Sequence, residues 1–297
     1  MNKRTFALIA ALIATSIYGL NHTIAKVVMP DFIEAFGFVQ LRILGACVLF
    51  WITGFFIKKE KINRKDYKII FLASLLGMCL NMLMFIKGLS LSTPINSGLI
   101  VTLTPVIILI LSVILLKERI EIKKIFGIGL GFSGAILLIL MGGDFAKNAP
   151  NIRLGNIMLL INAISYGAYL VIIKPLVAKY HTITLMKWMF LIGFFMSLPF
   201  TYSEFLLVKW TLLPFDAIWR MIFVVLGTTF STYLLNVYAL NNLSPTIIGA
   251  FAYVQPIIAI FYASLTGNDK LDLIKIIAAI LVFIGVFLAT RKSSELN

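Results

Sequence analysis

The sequence predicts an all-α integral membrane protein whose ten transmembrane helices form two inverted five-helix repeats. Three observations carry that expectation. The first is composition: 61% of the 297 residues are apolar and only 13% are charged, with a mean hydropathy of +1.02. A soluble domain holds about 25% charged and about 45–50% apolar residues. A chain this apolar cannot cover its surface with polar groups, so its solvent must be lipid. The second is length: the apolar runs approach the roughly 20 residues that a helix needs to cross about 30 Å of hydrocarbon. A helix also satisfies its own backbone hydrogen bonds there. The third is an internal echo. Ser92–Lys124 carries Pro94 and Pro105 before an apolar run and a charged turn, and Ser244–Lys275 repeats this with Pro245 and Pro256. One offset of 151 carries Pro94 onto Pro245, Pro105 onto Pro256, Glu118 onto Asp269 and Gly134 onto Gly285. Leu/Ile content alone would match anywhere, but paired prolines and the charge after the helix should not, which points to a repeat of half the chain.

Taken in order, the spans fall at Phe6–Met29, Phe32–Ile57, Ile69–Ser90, Ile95–Leu116 and Ile125–Met141, then Leu154–Lys174, Ile183–Tyr202, Ala217–Leu240, Thr246–Leu265 and Leu271–Thr290. The opening Lys3-Arg4 also fits a signal peptide, but the apolar run is too long for one and reads as a retained helix. Gly142–Arg153, with its paired glycines, Asp144, Asn148 and Pro150, marks a surface crossing between a first unit, 1–141, and a second, 154–297.

The formal charge of +14 invites a nucleic-acid reading, but the basic residues sit in short loops between apolar runs. That is how a polytopic protein meets anionic lipid and sets its topology. Sixteen of the 26 basic residues fall on one side: Lys3 and Arg4, the run Lys58–Lys68, the turn Lys117–Lys124, Lys174 and Lys179, and Arg291 with Lys292. The rich side is cytoplasmic by this rule, which puts both termini inside, as in a bacterial inner membrane. Five spans per repeat then force the second unit to enter from the other face. Inverted repeats of this kind are a transporter architecture. Cys47 and Cys79 lie inside apolar runs and read as packing residues without a disulfide.

The first span reads Tyr18-Gly19-Leu20-Asn21-His22-Thr23-Ile24-Ala25-Lys26, and Tyr166-Gly167 with Lys174 echo it at an offset of 148. This resembles the aromatic-Gly…Lys opening of EamA-type proteins in the drug/metabolite transporter superfamily. Arg42 stands where that family tends to carry an arginine. Leu116-Lys117-Glu118-Arg119 looks like its charged turn, and Gly127…Gly134 like the glycines of its fifth span. In the second half Asp269 replaces the glutamate and Ala278 the first glycine. The resemblance covers nearly the whole chain. It implies ten helices, two inverted repeats and export or exchange of small metabolites, and it names no substrate.

Polar chemistry at membrane depth supplies the pathway candidates. Every acidic residue falls in a loop or at a span end, so no mid-membrane carboxylate is expected to relay protons or hold Na⁺. Arg42, about ten residues into its span, is the foremost candidate, either facing a cavity or bracing neighbouring helices. His22 is the one histidine inside a span, either titrating there or packed neutral. Lys26, Lys87 and Lys187 lie near helix ends, where snorkelling accounts for them. Tyr18, Asn21, Asn81, Asn96, Tyr166, Tyr169, Trp188, Tyr233, Asn236, Tyr253 and Gln255 complete a set suited to a moderately polar organic solute. Spans five and ten offer almost nothing polar, so eight helices are expected to line the pathway, with the other two bracing the outside or contacting a second copy as a homodimer. Pro105 and Pro256 each free a carbonyl and permit a bend. No catalytic cluster, metal motif, nucleotide loop or selectivity-filter pattern is visible. The expected activity is therefore carriage of a small molecule without a cofactor, amino acids or small organic acids being favoured. A channel or scramblase, or a carrier of neutral or lipophilic compounds, is the alternative.

Overall fold

The computed structural model describes residues 3–116, 122–141, 149–243 and 254–290, together with Ile248 and Phe251. The charged turn at Glu118, most of the linker, Pro245, Tyr253 and the basic pair Arg291 and Lys292 lie outside these residues. Among the described residues every regular element is helical. Among these residues eight helices are long and apolar enough to cross a membrane, and two further apolar helices are shorter.

The helices are α1 (Lys3–Val28), α2 (Ala35–Gly54), α3 (Arg64–Leu91), α4 (Pro94–Val101 and Thr104–Leu116), α5 (Ile122–Met141), α6 (Ile152–Val177), α7 (Thr182–Leu206), α8 (Phe215–Asn242), α9 (Val254–Leu265) and α10 (Leu273–Thr290). Their ends follow from local chemistry. The Thr93 side chain accepts from the Asn96 amide at 3.3 Å, with Pro94 at the first helical position, so α4 starts there. Asn151 caps α6 through the Leu154 amide at 3.0 Å. α4 is interrupted at Thr102 and Leu103, and Pro105 stands second in the piece that restarts. A proline costs little there, because its missing N–H would have had no partner in a first turn. α2 is shorter than the apolar run predicts. The extended Glu34 delays its start to Ala35, which places Arg42 about 10 Å along the helix axis at 1.5 Å per residue.

Two features were not anticipated from sequence. α3 contains a π-helical stretch, Leu75–Leu80, and α8 contains another, Phe223–Ser231. Such wide turns inside helices are frequent at functional sites.

The packing has a regular pattern. α1 packs on α8 and α3 on α6; α1 packs on α9 and α6 on α4; α2 pairs with α7, and α5 with α10. Advancing each helix number by five exchanges the members of the first two sets and returns the last two pairs onto themselves. The hydrogen bonds repeat in the same way. Lys26 donates to the carbonyls of Leu89 and Ser90, at 2.9 and 2.7 Å, where α3 ends. Lys174 donates to the carbonyls of Leu240 and Leu243, where α8 ends. Each ammonium meets carbonyls left without helical partners, at the negative end of a helix dipole. Lys26 is therefore buried and turned inward; it does not snorkel.

The α5–α10 seam depends on missing side chains. A Cβ on Gly285 would lie 2.2 Å from the Gly131 nitrogen and 2.7 Å from the Gly127 oxygen. Both obstacles are backbone, so neither can rotate away. The largest apolar cluster occupies the middle of the bundle, where Phe38, Phe50, Ile86, Tyr169 and Phe190 are fully buried.

Candidate functional site

A cavity of about 60 Å³ lies inside the bundle. At about 10–15 Å³ per water it has room for about four to six waters, so this conformation is narrow. Its lining comes from seven helices: Tyr18, Asn21 and His22 on α1, Arg42 on α2, Asn81 and Phe85 on α3, and Val101 and Thr104 on α4. Asn162 and Tyr166 on α6, Thr228 and Tyr233 on α8 and Gln255 on α9 complete it.

Arg42 is buried, 4% exposed. Its Nε donates to Thr229 Oγ1 at 3.0 Å, and Thr229 in turn donates to the Val224 carbonyl at 2.8 Å, five residues back. The arginine thus reads the π stretch of α8, whose widened turn brings that threonine within reach. The π stretch of α3 is held in a similar way. Tyr233 donates to the Gly77 carbonyl at 2.8 Å and Ser165 to the Leu76 carbonyl at 2.6 Å. Gly77 is small because the Tyr169 ring lies against it; an added Cβ would come within 2.6 Å of that ring. Asn162 and Asn81 bond each other's backbone carbonyls, at 3.0 and 3.5 Å. His22 Nδ1 and Ser97 Oγ share a hydrogen bond at 2.8 Å.

The polar lining is incompletely paired. Both side-chain atoms of Asn21, Nη1 of Arg42, Oγ1 of Thr228 and Oε1 of Gln255 are buried and have no hydrogen-bond partner among the described residues. Leaving a buried polar atom unpaired costs about 1–3 kcal/mol, more for a charged group. A cluster of such atoms around one cavity is capacity for a polar guest. No acidic residue lines it among the described residues.

The candidates drawn from the sequence separate into groups. Arg42, His22, Asn21, Tyr18, Asn81, Tyr166, Tyr233 and Gln255 converge on the cavity. Tyr169 sits behind it, between Tyr166 and Tyr233. Asn236 lies just beyond it, its Nδ2 donating to the hydroxyls of Tyr18 and Tyr166 at 3.3 and 3.4 Å. Three stand apart. Lys87 lies over the Phe36 ring, Asn96 donates to Asn156 at the start of α6, and Trp188 packs edge-on against Trp51 and Tyr67. With Trp188 absent from the lining, α7 does not line the cavity among the described residues, which reduces the expected eight helices to seven. Pro256 lies within α9, next to Gln255. Tyr253 is outside the described residues.

The sequence reading missed Phe85, Val101, Thr104, Asn162 and Thr228. Asn162 was legible: it is polar, lies inside a span and stands one helical turn from Tyr166. Phe85 and Val101 are apolar, and a search for polar groups cannot find them.

The two ends of the bundle differ. At the face where α1 begins, Asp66 accepts from Lys179 Nζ and the Tyr180 hydroxyl, and Glu60 accepts from the His181 amide at 3.0 Å. At the opposite face Glu204, at the end of α7, accepts from the Phe36 and Gly37 amides at 2.6 and 3.1 Å, a carboxylate on the first turn of α2. A cleft of about 400 Å³ lies beside it, between residues 30–34 and 204–213.

A sequence profile described as the EamA-like transporter family matches residues 5–140 and again 153–291. An uncharacterized transporter of Bacillus subtilis, YetK, is 24% identical over 99% of this chain and 90% of its own length. An uncharacterized transporter of Archaeoglobus fulgidus is 22% identical over 99% of this chain and all of its own length. A WAT1-related protein of Arabidopsis thaliana is 22% identical over 94% of this chain and 81% of its own. One solved crystal structure shares the fold, with a TM-score of 0.65 at 16% identity over 96% of this chain and 97% of the other. A multi-pass bundle of apolar helices around a polar cavity, matched by this family profile along nearly its whole length, is a membrane transporter: the chain belongs to the EamA-like transporter family, within the drug/metabolite transporter superfamily.

Proposed function

We propose that this protein is a secondary carrier, an exporter or exchanger, of small organic solutes bearing a carboxylate, amino acids or small organic acids first among them. The observation that carries the reading is the set of unpaired polar atoms around Arg42: a guanidinium nitrogen, a complete amide, a hydroxyl and an amide oxygen, all facing one cavity. A guanidinium can hold a carboxylate through parallel hydrogen bonds that a lysine cannot copy. With no carboxylate in the lining, Arg42 repels a bare cation and attracts an anion. The amides of Asn21 and Gln255 supply neutral donors and acceptors for the rest of the solute.

The carrier works by alternating access between two inverted repeats, 1–141 and 154–297, joined by the linker 142–153. Ten helices cross the membrane, and both termini lie in the cytoplasm beside a bacterial inner membrane. Support comes from the five-step exchange in helix packing, the matched lysine caps at Lys26 and Lys174, and the paired π stretches. The outward faces of α5 and α10 are left to lipid or to a second copy.

The test is counterflow in proteoliposomes against a panel of labelled amino acids, organic acids, neutral solutes and quaternary ammonium compounds. A carrier saturates and counter-exchanges carboxylates. Conduction without saturation, or chemical conversion of a solute, would overturn the reading.

A further inference from the structure

Phe85 lines the cavity and Asn236 stands just beyond it, and they occupy the same place in the two halves of the chain. Phe85 stands six residues before the end of α3 at Leu91, and Asn236 six residues before the end of α8 at Asn242. The offset of 151 that relates the paired prolines carries one onto the other. Each also lies five residues beyond its helix's π stretch, which ends at Leu80 in α3 and at Ser231 in α8.

What they touch is different. Asn236 joins Tyr18 to Tyr166, one tyrosine from each half and themselves equivalent at an offset of 148. Asn236 stands just outside the lining, toward the end of α8 that Lys174 caps. Phe85 lies at the other side, against the two basic side chains of the lining. Its ring centroid is 5.5 Å from that of His22, edge-on, and 5.9 Å from the Arg42 guanidinium carbon.

We propose that Asn236 and Phe85 are the two gates of this cavity, a polar bolt on the α1-start side and an aromatic plug on the other, and that the π stretches before them are the hinges. The proposal rests on the carrier reading. The hinge follows from helix geometry. A π turn holds one residue more than an α turn, so converting it to α rotates everything downstream by about 100°. In α8 that rotation carries Asn236 off both tyrosines. In α3 it carries Phe85 off Arg42 and His22. The side chains that hold the π turns belong to the cavity itself, Arg42 through Thr229 on α8 and Tyr233 through Gly77 on α3. A guest bound at Arg42 therefore acts on the arginine that steadies the hinge of the bolt.

Accessibility tests this without a known solute. Gln255→Cys places a thiol on the lining at a residue whose Oε1 has no hydrogen-bond partner among the described residues. A membrane-impermeant, sulfonated thiol reagent is applied to either side of oriented vesicles, with labelling counted above the parent, whose Cys47 and Cys79 are buried. Adding Asn236→Leu, which keeps the volume and removes the donor, should speed labelling from the α1-start side on the order of tenfold, since two hydrogen bonds are lost in the closed state alone. Adding Phe85→Ala should speed labelling from the opposite side only. Tyr18→Phe with Tyr166→Phe removes both acceptors and keeps the rings, so it must reproduce the Asn236→Leu result; it decides the matter if Asn236→Leu does not accumulate. Unchanged labelling in these variants, or equal acceleration from both sides, overturns the proposal. Failure to find any counter-exchanged solute would refute carriage and leave the labelling result standing on its own.

Discussion

Replacing Arg42 by lysine separates a carboxylate site from a structural brace. In the present conformation the guanidinium does two things at once: Nε holds Thr229 at 3.0 Å, and Nη1 has no partner among the described residues. A lysine carries one ammonium on a different reach. It can hold Thr229 or meet a carboxylate at the cavity centre, and cannot do both with arginine's fork geometry. One charge-assisted hydrogen bond is then lost, about 1.5–3 kcal/mol. At about 1.4 kcal/mol per factor of ten, Arg42→Lys should weaken binding of an anionic solute by about 10- to 150-fold. Arg42→Ala removes both interactions and the contact with Phe85, and should abolish measurable transport. The assay is counterflow of labelled amino acids and organic acids in proteoliposomes, with melting temperature and size-exclusion profile as folding controls. Near-normal transport by well-folded Arg42→Lys would refute the argument. So would transport of quaternary ammonium compounds by the wild type that continues undiminished in Arg42→Lys.

Three further expectations follow from the same geometry. His22→Gln can keep a hydrogen bond to Ser97, so counter-exchange should persist with at most an altered pH profile; strict Na⁺ dependence of transport would contradict a cavity without a lining carboxylate. Reporter tags at Asn2 and Asn297 should both read as cytoplasmic and a tag within Gly142–Arg153 as external, and termini on opposite sides would end the ten-span reading. Gly285→Val sets a branched side chain against the Gly131 and Gly127 backbone, an overpacking cost of at least about 1–3 kcal/mol; a lowered melting temperature in detergent is expected, and an unchanged one would show that α5 and α10 do not meet so closely.

Much of the fold was legible because lipid imposes a simple code. Apolar runs of spanning length give helices, and Thr93-Pro94 and Asn151 mark where two of them start. The echo at 148 also anticipated a relationship that only coordinates display, Lys174 repeating what Lys26 does at the other end of the bundle. What sequence could not supply was direction. Lys26 reads as a snorkelling residue because it sits near a helix end; in the fold the end of α3 offers it carbonyls at 2.7–2.9 Å, and it turns inward. Trp188 fails as a pathway residue for a similar reason. It is aromatic and inside a span, yet its helix angle brings it to Trp51 and Tyr67. The π stretches leave no mark in composition at all. They are set by tertiary hydrogen bonds, Arg42 to Thr229 and Tyr233 to Gly77, whose partners stand 187 and 156 residues apart.

The scaffold is close to two-fold in its packing, and the chemistry inside it is not. Lys26 and Lys174, and Gly134 and Gly285, keep their character across the halves, and so do Tyr18 and Tyr166 in the cavity lining. Other positions that meet the cavity diverge. At the offset of 148, Arg42 falls on Phe190 and His22 on Leu170; at 151, Phe85 falls on Asn236. In the carrier proposed above, a frame with matched halves presents the cavity to one side or the other at similar cost, because each half adopts the other's packing. One cation on one half then makes the two presentations unequal for an anionic guest. Arg42 itself lies over the Phe85 ring, its guanidinium carbon 5.9 Å from the centroid, so of the two proposed gates Phe85 is the one in contact with the cation. In the carrier proposed above, symmetry in the packing serves alternation, and the broken symmetry at Arg42 and Phe85 serves the choice of guest.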